Sequence, residues 1–299
     1  MVSLLVPPTP ARHAPTFDLQ SHSEHSDGAL PPAEVVARAA RAGVTLLALT
    51  DHDTVDGVPE ALRAARHHGI ALSPAAEISA VHGTYEDLHI LGYDLDHSDP
   101  ALRVTLEDWR EDRGRRIGQM ADRLEELGFA LDRAPLARRS REGRPLGRPH
   151  LAQAVLSHPA NADRLTAELI GGPGELFPAY LVPGAPAYVA RQRPTVGEAI
   201  DAIHAAGGLA VWAHLFWDLE DPSDTLRAID AFEGLDGVEC FYITHTPEQT
   251  RLLHDACTER GLITTGSADF HGPEHDRFHS FRAFETHGLR PDLRRIDTR

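Results

Sequence analysis

The sequence predicts an α/β fold in which a parallel sheet or barrel is wrapped by crossover helices. Short apolar runs of strand length alternate with segments of helical spacing. Gly and Pro fall where such elements stop or start. A third observation bears on function. His22, Asp27, His52, Glu77, His89, His214, Asp269 and His271 each sit at or just past the end of an apolar run that reads as a strand. Strand ends in an α/β protein gather at one face, and imidazoles and carboxylates converging there bind metal or repel one another.

The Pro-rich residues 1–15 read as an irregular arm, and Thr16–Leu19 as a short strand. A helix is expected over Pro31–Ala42, with Pro at its start and Gly43 as its stop. Val44–Leu49 is a strand, Val58–His68 a helix closed by Gly69, and Ile70–Ser73 and Leu88–Tyr93 are further strands. The rhythm then changes. Leu102–Leu127 reads as a long helix dense in Arg and Glu, and residues 130–185 hold many Gly and Pro. Residues 101–189 are therefore expected to form a helical insertion, a lid domain, between the barrel segments 16–100 and 190–299. Alternation resumes with a helix at Val196–Ala206, strands at Leu209–Ala213 and Gly237–Phe241, a helix at Pro247–Arg260 and a strand at Leu262–Gly266.

At 299 residues the chain can bury a large core. A net charge of -16 argues against a surface that coats duplex nucleic acid. All 29 Lys and Arg positions are Arg, which excludes Schiff-base, P-loop and pyridoxal lysines. Cys240 and Cys257 are the only cysteines, so neither a disulfide framework nor a thiolate zinc site is expected. The first twenty residues lack a basic leader followed by a long apolar core, and no stretch is long enough to span a membrane. A cytoplasmic protein with reduced thiols is expected. Codon bias accounts for several of the 19 histidines, such as His67, His68, His158 and His287. It does not account for histidines at successive strand ends.

In Asp18-Leu19-Gln20-Ser21-His22, residues 20 and 22 point the same way if extended. Gln20 is at best a neutral oxygen ligand, suited to harder ions such as Mn²⁺ or Mg²⁺. Asp27 follows on a loop beside Gly28. His52 is flanked by Asp51 and Asp53. Asp51 is a candidate catalytic group and a partner that would fix the His52 tautomer, while Asp53 or Thr54 would equally cap a helix. Glu77 lies inside an apolar stretch, where an unpaired carboxylate is costly, and its two oxygens can bridge two ions. His89 taken alone reads as a hydrogen-bonded core histidine. Asp269 and His271 repeat the alternate-residue geometry after a strand.

This ordered set resembles the PHP (polymerase and histidinol phosphatase) superfamily. Asp18-Leu19-Gln20-Ser21-His22-Ser23 with Ser26-Asp27-Gly28 resembles its opening motif. Thr50–Thr54, the Glu77 segment, His89–Tyr93, Ala213-His214 and Ser267–Gly272 resemble its later ones. The resemblance implies a distorted (β/α)₇ barrel with two or three divalent ions at the strand C-termini. Mn²⁺ is the first choice, with Fe²⁺, Zn²⁺ and Mg²⁺ as alternatives. Gln20 stands where the family has its first His, which implies weaker binding there or a shift toward oxygen-loving ions. Ala268 lengthens the last motif by one residue and Leu215 stands where Pro is common, changes expected to adjust loops rather than abolish ligation.

The insertion, through Gly147–Ala152, Phe177–Leu181 and Ala187–Arg191, resembles the lid of enzymes that cleave 3′,5′-bisphosphonucleotides, mononucleotides or short RNA ends. The implied activity is phosphate monoester hydrolysis on a small phosphorylated, nucleotide-sized substrate by metal-activated hydroxide, since clustered cations lower the pKa of bound water to about 7. Arg148 and Arg191 are the candidate phosphate clamp, because a guanidinium donates two hydrogen bonds to one phosphate. His150 is the candidate proton donor to the leaving oxygen, or a second phosphate contact. Histidinol phosphatase activity and a metal-stabilised, non-catalytic binding module are the alternatives. The oligomeric state is open.

Overall fold

The structure, a computed structural model, describes residues 15–83, 85–141, 146–217, 219 and 221–297. Apart from Pro15, the expected arm lies outside the described residues. The elements are β1 (Phe17–Asp18), α1 (Pro32–Arg41), β2 (Leu46–Leu49), α2 (Val58–His68), β3 (Ala71–His82), β4 (Tyr85–Tyr93), α3 (Pro100–Glu126), α4 (Ala134–Arg141), α5 (Arg148–Leu156), α6 (Ala162–Ala167), α7 (Pro173–Leu176), α8 (Val196–Ala205), β5 (Leu209–Trp212), α9 (Pro222–Ala231), β6 (Gly237–Tyr242), α10 (Pro247–Arg260) and β7 (Ile263–Ser267). Local chemistry sets many of these bounds. Thr195 with Glu198 and Thr246 with Gln249 form capping boxes at α8 and α10. Gly69 and Gly261 end α2 and α10 in the left-handed conformation. Helix α9 was not expected from the sequence. Its signal is Asp221, which caps Ser223, followed by Pro222 in the first turn.

The seven strands form one sheet in sequence order. The sheet nearly closes on itself: the Leu19 N–H donates to the Gly266 carbonyl at 3.2 Å, and Ser21 bridges Phe270 in parallel. The expectation of a wholly parallel sheet needs correction. β3 pairs antiparallel with β4, and β4 antiparallel with β5. The β3–β4 connection, with Gly83 at φ 59°, is too short for a crossover helix. Glu77 and His89 consequently sit within strands, opposite Leu91 and Ser79, rather than at strand ends.

Leu19, Ile78, Ile90, Trp212 and Phe241 belong to the barrel core, and a smaller cluster packs α1 and α2 on β2. A separate apolar cluster, with Met120, Leu124, Leu151, Val155 and Leu181, joins the helices between β4 and α8. Helix α3 serves both: Leu102, Leu106 and Trp109 face the barrel core, and Ile117 onward enters the second cluster. Among the described residues no helix is long and apolar enough to cross a membrane.

Candidate metal centre and active site

β1 runs into a turn held by a buried acid. Asp51 accepts from the Ser23 N–H, the Ser23 hydroxyl and the Ser26 hydroxyl, each at 2.7 Å. Gly28 packs so closely that a Cβ there would lie 2.2 Å from the His22 carbonyl oxygen. This turn fixes His22 and Asp27. His22 Nε2 stands 3.1 Å from both Glu77 Oε2 and Asp269 Oδ1. Asp27 faces His22, His52 and His271 at 3.4, 3.5 and 3.5 Å. The other Glu77 oxygen, Oε1, lies 2.6 Å from His89 Nδ1 and 3.3 Å from His214 Nε2. Among the described residues three overlapping ligand groups result: His22, Asp27 and His271; His22, His52 and Glu77; and Glu77, His89 and His214. Glu77 belongs to two of them and turns one oxygen toward each.

The donor set fits divalent cations. It contains imidazole nitrogen and carboxylate oxygen, with no thiolate. His22 Nε2 and Asp269 Oδ1 are buried 3.1 Å apart, yet neither has a hydrogen-bonded partner. Burial this complete is tolerated when a cation shares the lone pairs. Burial alone would lower the pKa of His22, but Asp269 and Glu77 raise it well above the usual imidazole value. Burial alone would raise Glu77, but His52, His89 and the other imidazoles hold it well below the carboxylate range. Asp27 is lowered in the same way, against burial, by His52 and His271. Two candidate ligands occupy the left-handed backbone region, His214 at φ 30° and Asp269 at φ 55°, a strain typical of functional sites.

The PHP domain family model matches residues 18–129. The chain is similar to the 3′,5′-nucleoside bisphosphate phosphatase of Chromobacterium violaceum, with 35% identity across 86% of this chain and 87% of that protein. This chain belongs to the PHP family. It is also 32% identical to a 5′-3′ exoribonuclease of Haemophilus influenzae, across 86% and 90% of the two chains. Among solved structures, an amidohydrolase from Chromobacterium violaceum with bound sulfate and no metal superposes with a TM-score of 0.72 at 33% identity, across 89% and 90% of the chains. A protein from Bifidobacterium adolescentis, described as a metal-dependent phosphoesterase, gives 0.70 at 28%, across 87% and 89%.

In this PHP chain, His22, Asp27, His52, Glu77, His89, His214, Asp269 and His271 all line one cavity of about 370 Å³, together with Arg148. Four other sequence-derived candidates lie elsewhere. Gln20 is buried beneath the floor; its amide nitrogen donates to Glu77 Oε2 at 2.9 Å and its oxygen accepts from Ser267 at 3.2 Å. Asp51 turns to the Ser23–Ser26 turn instead of the cavity. His150 lines a neighbouring pocket with Arg138 and Arg139, and accepts from the Gly147 N–H at 3.1 Å. Burial, then Arg139, lowers its pKa to about 4. Arg191 is buried with its guanidinium 3.8 Å from Asp53. The altered loops still deliver their side chains: the Ala268 N–H donates to Asp18 at 3.0 Å, and Leu215 is buried directly after His214.

Several lining residues were not anticipated. Arg113 and Arg116 reach the cavity from α3, and Asp53 Oδ2 accepts from Arg113 at 2.9 Å. Tyr242 donates its hydroxyl to Asp269 Oδ2 at 2.8 Å. Glu239, fully buried behind the floor, accepts from the His214 N–H at 2.9 Å and from Ser267 at 2.6 Å, and burial raises its pKa to about 8. Glu239 carried the same signal as Glu77, an acid inside an apolar strand. Arg113 and Arg116 carried none that set them apart from the other arginines of α3.

Proposed function

We propose that this chain is a metal-dependent phosphoesterase that removes a phosphate monoester from a nucleotide-sized substrate such as a 3′,5′-bisphosphonucleotide, a mononucleotide or a short RNA end. The observation that carries this reading is Glu77, whose two oxygens serve two ligand groups under a cavity of nucleotide size rimmed by arginine. The ions would be held by His22, Asp27, His52, Glu77, His89, His214, Asp269 and His271, with Mn²⁺ the first choice for the carboxylate oxygens and Zn²⁺ or Fe²⁺ competing at the imidazoles. Bound divalent cations supply an acidified water and neutralise charge on the phosphoryl oxygens.

The chain's own side chains do the rest. Tyr242 and the buried Glu239 orient Asp269 and His214. Asp51 holds the turn that carries His22 and Asp27. Gln20 steadies Glu77, and would offer its oxygen to a cation only with the amide turned over. Arg148 and Arg113 bind the phosphate, and Asp53 aims Arg113. Arg191 supports Asp53 from behind. Residues 101–189 act as the lid that limits substrate size. His150 donates to the substrate only if the lid shifts, because it faces the neighbouring pocket here. A reducing compartment, the cytoplasm, suits Cys240 and Cys257, whose Sγ atoms lie 3.8 Å apart without a bond.

A phosphatase screen with Mn²⁺, Mg²⁺ and Zn²⁺ tests the reading, comparing 3′,5′-bisphosphonucleotides, AMP, histidinol phosphate and short RNA. Release from the nucleotides supports it. Release from histidinol phosphate alone overturns the substrate class, and no release from metal-loaded protein overturns the activity.

A further inference from the structure

The cavity has an aromatic side that the metal centre does not use. Trp217 ends the short 3₁₀ turn Leu215–Trp217 that follows His214, and it lines the cavity while 50% exposed. The other tryptophans, Trp109 and Trp212, are buried at 7% and 0%. Trp217 is nevertheless held in place. Its indole N–H donates to the Thr244 hydroxyl at 3.1 Å, and its ring lies 5.8 Å from Phe278 at 32° and 6.2 Å from Tyr242. The Arg277 guanidinium stands 5.9 Å from the ring centre, adding positive charge to the same rim. Phe177 lines the cavity from the helical segment.

We infer that Trp217 is the stacking platform for the substrate's nucleobase, so that this side of the cavity selects phosphate esters that carry a planar aromatic group. This rests on the phosphoesterase reading and adds what recognises the non-reacting part of the substrate. A half-exposed indole fixed at its edge and backed by Phe278 and Arg277 offers its exposed part to a base at little ordering cost. Stacking accepts every base, because each has a π face. Selection should therefore favour base-bearing over base-less substrates, with little choice among bases.

The test compares adenosine 3′,5′-bisphosphate with the same sugar bisphosphate lacking its base, in wild type, Trp217→Ala and Trp217→Phe. The ratio of kcat/KM for the two substrates should fall roughly tenfold in Trp217→Ala, mainly through KM, and recover most of that in Trp217→Phe. Binding of AMP with Mg²⁺ should quench wild-type tryptophan emission, and Trp217→Phe should abolish the quench, since the remaining tryptophans are buried. Hydrolysis of both substrates with a ratio unmoved by Trp217→Ala, or a quench that survives in Trp217→Phe, overturns the platform and leaves the phosphoesterase reading intact. Hydrolysis of neither substrate by wild type overturns that reading instead.

Discussion

The floor and the wall of the cavity are built by different means. The floor is drawn from short loops after β1, β2, β5 and β7 and from the β3–β4 hairpin, and most of its side chains are held by a buried partner. Asp51, Glu239, Gln20 and Tyr242 hold it from behind through direct hydrogen bonds. The wall comes from α3, the start of α5, the Phe177 turn and Trp217. Its members are long side chains tied to the helical segment or to one another rather than to the ligand groups: Arg148 donates to the Leu181 carbonyl at 3.3 Å, Arg116 to the Val189 carbonyl at 2.6 Å, and Trp217 to Thr244. The difference teaches a division of labour. A preorganised floor sets the type of chemistry, because misplacing a ligand by a fraction of an ångström is costly. A wall built on the helical segment is, on the proposed reading, what would set which ester is accepted.

The largest expected effect is on the floor. Glu77→Gln should lower kcat by roughly 10³-fold or more, about 4 kcal/mol of transition-state stabilisation, and elemental analysis should show loss of bound metal. Arg148→Ala should instead raise KM by roughly 10–100-fold, the value of a charge-assisted hydrogen bond, with metal content intact. A wall variant that loses metal, or a Glu77→Gln protein that keeps both metal and rate, would break the division.

Metal removal comes next. A cation that binds only the folded protein at 100 times its Kd contributes about 2.7 kcal/mol, so stripping it should lower Tm by about 4 °C for a chain of this length. Glu77→Gln should show little of that difference. The stripped protein should also have a distinctive pH profile. His22 is raised above 6.5, so its contribution is present below that value and is lost as pH rises through the folded value. Asp27 and Glu77 are lowered from 3.8 and 4.5, so theirs is present above those values and is lost on acidification. These three contributions coexist between pH 4.5 and 6.5; as pH rises above that window the metal-free protein should lose the His22 contribution, read as a fall in Tm that Glu77→Gln makes smaller.

The two regions also differ in how far the sequence disclosed them. Most floor histidines and acids were legible as candidates because they stand at the ends of apolar runs, where strand ends converge, and Glu77 because an acid inside such a run needs a partner; Glu239, with the same signal as Glu77, was not read. Helix ends were legible where Gly43, Gly69 or Pro247 mark them. The antiparallel hairpin was not, since a run such as Ile70–Ser73 does not reveal that its strand continues to His82. The inward turn of Asp51 and the displacement of His150 from the cavity depend on how a loop and the first turn of α5 are placed, which residue type does not encode. The wall was least legible. Arg113 resembles its neighbours on α3 until Asp53 is seen beside it, and Trp217 resembles a core residue until half of it is found exposed.

Packing offers a smaller test of the same contrast. Leu151→Ala removes a fully buried side chain from the cluster behind the wall, and Ile78→Ala one from the barrel core. Each should cost about 2–5 kcal/mol locally. If the wall is a separate cooperative unit, Leu151→Ala protein should retain metal while its KM rises, and hydrogen exchange should quicken in α5 but not in β3. Ile78→Ala should lower metal content and global Tm together.

The smallest expected effect lies at the joint between the regions. The chain returns from the helical segment to the barrel through Pro194 and Thr195, where the Val81 N–H donates to the Pro194 carbonyl at 2.8 Å and Thr195 caps α8. The Thr195 hydroxyl accepts from the Glu198 N–H at 3.2 Å, and the Glu198 carboxylate accepts from the Thr195 N–H at 2.8 Å. Thr195→Ala leaves one helix N–H without its side-chain acceptor but exposed to water, so it should cost only about 1 kcal/mol in a urea titration, with an unchanged m-value. Thr195→Ser should restore it. A loss above about 3 kcal/mol, well beyond a cap's usual range, would mean that this cap couples the wall to the floor. Metal content should then fall in Thr195→Ala as it does in Glu77→Gln, and the two regions would have to be treated as one.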